Sequence, residues 1–140
     1  MMLVERYVGY LAEVRYRPPL HADELPGFMA SVRRIVADAK MPLVFCTDWR
    51  DISSFPPDIA DTIVWIMRRD NPEIRANGVL VSAEQGDFYQ QVQEVLRQAN
   101  NPDRRVFDDP AVVSDWLEPL LSPAERRRRD DFLGGKAPAG

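Results

Sequence analysis

Four carboxylates, Asp48, Asp51, Asp58 and Asp61, fall in one short stretch of this chain. Hard divalent cations take several such oxygens, so a metal site is one reading. The other is electrostatic. Asp58 and Asp61 stand where a helix is expected to begin, and the helix dipole favours negative charge there. The electrostatic reading is preferred, and neither a metal nor a cofactor is expected.

Nucleophiles and bases are scarce. The single histidine, His21, sits in a loop before the first expected helix, with no second base nearby in sequence. The single cysteine, Cys46, lies inside an apolar run, where a buried structural thiol is expected. No GxGxxG, GxxxxGK[ST] or GxSxG pattern occurs. Asp48 and Ser82 could fill two roles of a receiver-type phosphoacceptor site. The acidic pair such a site needs is missing, because Tyr16 is followed by Arg17-Pro18-Pro19, and no Lys follows Val106-Phe107. Magnesium binding and phosphate charge balance would both fail. No enzymatic activity is expected.

The elements that must carry these residues follow from periodicity. Residues 8 to 16 alternate, with Val8, Tyr10, Ala12, Val14 and Tyr16 on one side, which predicts a half-buried strand. Leu3 to Tyr7 is a candidate for a separate short strand, with Gly9 at the bend. Leu25, Phe28, Met29, Val32, Ile35 and Val36 recur at helical spacing and predict a helix over 22–39. Pro42 to Cys46 is apolar on both faces, as in a central strand covered on both sides. A loop spans Thr47 to Pro57. Helices are then predicted over 58–70 and 84–100, with a buried strand at Val79-Leu80-Val81 between them. Val106-Phe107 is a short last strand. Asp109-Pro110 and Ser122-Pro123 each open a further helix.

Strictly alternating elements predict an α/β fold: one four- to five-stranded, mostly parallel mixed sheet flanked by about four helices. The 140 residues and 45% hydrophobic content suit one domain, expected over 1–133 with a disordered tail over 134–140. The N-terminus lacks the basic start, apolar run and cleavage site of a secretory signal, and no apolar stretch is long enough to span a bilayer. A cytoplasmic location without stable membrane insertion is therefore expected. A formal charge of −4 argues against a nucleic-acid partner. Arg126 to Arg129 are bracketed by Glu125, Asp130 and Asp131, so a solvated or dimer-contacting terminal helix is expected there.

Three stretches carry a family resemblance: LVFCTDWRDISSFPPDIAD, GVLVSAEQGDFYQQVQEVL and RRVFDDPAVVSDWL. In strand, loop and helix order they resemble the STAS domain, and more closely the small bacterial SpoIIAA-like proteins, which are related in shape to CRAL-TRIO lipid-binding domains. The resemblance implies a non-enzymatic regulatory or protein-interaction role in bacterial signalling. In anti-sigma-factor antagonists of this type, a serine before the second helix is phosphorylated by a partner kinase. Here proline occupies roughly that place, and Ser53 and Ser54 lie earlier. If the switch persists, these two serines are its candidates. The alternative is that they satisfy turn or cap hydrogen bonds.

The expected interaction loop comprises Asp48, Trp49, Arg50, Phe55 and Asp58, with Trp65, Arg68 and Arg69 on the following helix. Large aromatics and arginines are the usual anchors of interfaces, although Trp65 would equally suit the core. Two other readings stay open. One is a carrier of a small apolar ligand or lipid, motivated by the CRAL-TRIO relation. The other is a self-assembling scaffold, a homodimer through the C-terminal helix.

Overall fold

At Gly9 the backbone takes φ +56°, a conformation that suits glycine, and the chain reverses direction there. Two antiparallel strands result, β1 (Met2–Val8) and β2 (Leu11–Tyr16). The bend expected at Gly9 is thus a hairpin turn, and Val8 belongs to the first strand. The computed structural model describes residues 1–138.

Three strand–helix units follow. α1 (Leu25–Asp38) leads to β3 (Leu43–Asp48), α2 (Pro57–Asp70) to β4 (Ile74–Leu80), and α3 (Gly86–Ala99) to β5 (Arg104–Phe107). The chain then adds α4 (Pro110–Leu117) and α5 (Pro123–Leu133). Among the described residues this makes one five-stranded mixed sheet and five α-helices.

The sheet order is β1-β2-β3-β4-β5, parallel from β2 onward. Each crossover steps to the next strand in one direction, so crossovers of one hand place α1, α2 and α3 on one face. One core lies there, built from Ala12, Val14, Tyr16, Phe45 and Val79 against Phe28, Ile63, Phe88 and Val92. The opposite face would lie bare without the last two helices. α4 and α5 cover it, packing Val113, Leu117, Phe132 and Leu133 on Leu11, Val44, Cys46 and Leu80. All six residues of β3 are buried, as its two-sided apolar pattern requires.

β4 begins earlier than its apolar triplet suggests, because tertiary contacts outweigh the turn preference of Asn77-Gly78. The Thr47 hydroxyl donates to Asn77 Oδ1 at 2.9 Å inside the core. Gly78 lets α4 approach closely. A Cβ there would stand 2.6 Å from Val113 Cγ2.

Past α5 the backbone turns back on its own helix. Gly134 N–H donates to Asp130 O and Lys136 N–H to Asp131 O, and Lys136 O accepts from Arg128. Residues 139–140 of the expected disordered tail lie outside the described residues. No helix among the described residues is long and apolar enough to cross a membrane.

Candidate functional site

Loops carried at a fixed place by a rigid sheet are where binding residues most often sit. One such loop, residues 49–56, joins β3 to α2. Its ladder continues past the strand, since Trp49 N–H donates to Leu80 O at 2.9 Å. Trp49, Ile52 and Phe55 all turn inward and are buried, at every third position. The outward positions between them are Asp51, Ser53 and Ser54.

Trp49 and Phe55 are therefore not surface anchors. Trp49 stacks on Tyr16 with centroids 5.3 Å apart, and Phe55 meets Trp49 and Phe88 edge to face at 5.0 Å each. Burying these rings contributes more than exposing them to an absent partner would, which is why the loop folds back. The Trp49 indole Nε1 has no hydrogen-bond partner among the described residues and is enclosed by this aromatic cluster. Gln91 on α3 clamps the loop from below: its amide accepts from Phe55 N–H at 2.9 Å and donates to Phe55 O at 2.8 Å. Trp65, by contrast, is 56% exposed, with the Arg69 guanidinium 5.4 Å from its ring centre.

Asp48 is buried, and its oxygens are fully engaged. It accepts from the Arg50 backbone N–H and from Arg50 Nε and Nη2, each at 3.0 Å, and from Arg15 Nη2 at 3.1 Å. Burial alone would raise its carboxyl pKa. The hydrogen bonds from Arg50, with the charges of Arg50 and Arg15, outweigh that and hold it below the ordinary value. The same two arginines reach the end of α5, where Arg15 donates to Phe132 O and Arg50 to Leu133 O, both at 2.6 Å. Asp48 and Arg50 thus belong to the attachment of the last helix. Asp58 is exposed in the first turn of α2, where the dipole favours it. No group of three or more potential metal ligands converges among the described residues.

α5 also departs from expectation. Arg128 and Arg129 are 7% and 4% exposed, so half of the arginine run is buried rather than solvated. Arg128 holds Glu13 on β2, and Arg129 holds Glu118 and Asp130. Glu125 caps its own helix through Ser122 and accepts Tyr10 N–H at 2.6 Å, fixing the hairpin turn beneath it. Cys46 lies on the same face with no exposure, and burial, joined by the charges of Asp48 and Glu13, pushes its thiol up to about 12.

A partly open pocket between α1, α2 and the sheet measures about 40 Å³ and is lined by Val14, Phe45, Ile63, Thr47, Asp70 and Arg104 among others. That is room for one or a few waters, whereas small-molecule sites typically take roughly 300 Å³ or more. Comparison with protein-family models, curated proteins and solved structures finds no match for this chain.

Proposed function

We propose that this chain is a non-enzymatic regulatory module that binds a protein partner through the loop between β3 and α2 and the first turns of α2. The observation that carries the reading is the clamped loop. Trp49, Ile52 and Phe55 bury themselves, Gln91 grips the backbone, and Asp51, Ser53, Ser54 and Asp58 are left outward at a fixed place. A surface fixed before binding loses little conformational entropy on complex formation. The STAS-like reading draws further support from the hairpin followed by strand–helix units in consecutive order.

Ser53 and Ser54 are both exposed. Phosphorylation of either would add a dianionic group beside Asp51 and Asp58, turning a mildly acidic surface strongly acidic. Such a change would release a partner that tolerates the unmodified loop.

The test is affinity capture from a lysate of the encoding organism with the wild type and the S53E/S54E and D51K/D58K variants as baits. The expected result is a partner recovered by the wild type and lost or exchanged with either variant. Recovery unchanged by both variants overturns the site.

A further inference from the structure

Six large apolar side chains are exposed among the described residues, and three of them, Met1, Leu3 and Tyr7, lie on or beside β1 and line one surface hollow with Glu5 and residues 135–138. β1 is also an edge. It pairs with β2 on one side, and no strand of the described residues pairs its other side. Free backbone donors and acceptors therefore coincide with apolar side chains, a combination that folded proteins usually blunt or cover. Its ladder with β2 is regular over Met2–Glu5, and the irregularity between Glu5 and Val8 disturbs the remainder.

We propose that β1 pairs antiparallel with β1 of a second copy, centred on Leu3, so that two five-stranded sheets join into one of ten strands. Register decides the occupant. A two-fold axis normal to the sheet places residues of the same parity opposite one another, since both must share a face. Centring on Glu5 or on Arg6 sets like charges directly opposite, which destabilises the pair. Centring on Val4 sets Leu3 against Glu5 and Met2 against Arg6. Centring on Met2 sets Met1 against Leu3 and, among the described residues, gives Val4 and Glu5 no partner. Centring on Leu3 sets Leu3 against Leu3 and Met2 against Val4, apolar to apolar within the regular ladder.

Charge agrees with this register. Glu5 of one copy then faces Met1 of the other, and Met1 is bonded to Arg17 on its far side, through Arg17 N–H to Met1 O at 2.8 Å. Arg17 is exposed, and neither Glu5 nor Arg17 has an ion-pair partner among the described residues. Both line one hollow, so the two-fold axis places two Glu5–Arg17 pairs of opposite charge on the same face, two strands apart. The surface is separate from the β3–α2 loop, and the two readings stand or fall independently.

The test combines sedimentation over a concentration range with cysteine cross-linking. Directly opposite residues of an antiparallel pair have Cα atoms about 4.5–5.5 Å apart, within reach of a disulfide. The only native thiol, Cys46, has no exposure, so the wild type supplies a silent background. The expected result is a wild-type dimer and a variant L3C that links to itself on mild oxidation, while E5C and Y7C do not. L3E keeps its circular dichroism spectrum and raises the dimer dissociation constant at least about tenfold, because burial of Leu3 is lost. A wild type that stays monomeric at every concentration overturns the proposal. So does a dimer that L3E leaves intact, or one that links through Tyr7 or Glu5 but not Leu3.

Discussion

Arg128 grips Glu13 through two hydrogen bonds, 2.6 Å from Nε and 2.8 Å from Nη2, where neither side chain is more than 7% exposed. The two residues stand 115 positions apart in the chain. This contact joins the last helix to the second strand. Breaking a buried pair leaves one charge without compensation, so Glu13→Gln and Arg128→Met should each cost about 3–5 kcal/mol in urea unfolding. The double variant Glu13→Leu/Arg128→Met should recover most of that loss, because no buried charge remains. Strictly additive losses would show that the pair does not act as a unit.

Asp48 makes the attachment of α5 sensitive to acid. Its folded-state pKa is held below the ordinary carboxyl value by the hydrogen bonds of Arg50 and the charges of Arg50 and Arg15, which overcome the opposing effect of burial. A depressed folded value means stability that is present above the ordinary carboxyl range and lost as pH falls through the folded value, below about 4. The wild type should lose urea resistance across that window. Asp48→Asn should be weaker near neutrality and should change less in acid. Acid profiles that run parallel for the two proteins would assign the loss to other groups.

Gly78 and Val113 should be coupled. A methyl group at position 78 meets Val113 Cγ2 at 2.6 Å and Leu117 Cδ1 at 3.4 Å. Gly78→Ala should cost about 1–3 kcal/mol by pushing α4 off the sheet. Val113→Ala creates a space of its own, yet the two together should cost less than the sum of the single changes. A double-mutant cycle on urea midpoints measures this.

Gln91 should control the order of the β3–α2 loop. Its amide closes two hydrogen bonds on Phe55, each contributing about 0.5–1.5 kcal/mol. Gln91→Ala should leave the sheet intact and raise hydrogen exchange across residues 50 to 55. Exchange that stays at the wild-type level would mean that the buried rings alone fix the loop.

Much of the element order was legible because most elements carry a clear period. Phe28, Val32 and Val36 mark α1, and the two-sided run of β3 marks a central strand. The β3–α2 loop misled through composition. Trp49 and Phe55 beside charged neighbours resemble an interface, and only their spacing with Ile52, one apolar residue in every three, pointed inward. α5 misled for the opposite reason. Its polar burial rests on ion pairs with Glu13 and Glu118 and on the hydrogen bond from Tyr10 N–H to Glu125, partners outside the helix, so a run of arginines reads as solvated. Hydrophobic pattern cannot reveal a helix held by charge, because each charge is read without its partner.

The strand order also divides the two cores along the chain. Every residue of the first core lies before α4, so a chain complete through β5 holds all of it. The second core needs residues beyond β5. Leu11, Val44 and Leu80 stay wet until α4 and α5 follow β5, and only then does Glu13 meet Arg128. A nascent chain halted after Phe107 would carry a finished face and a sticky one, and would be the species that a chaperone most readily holds.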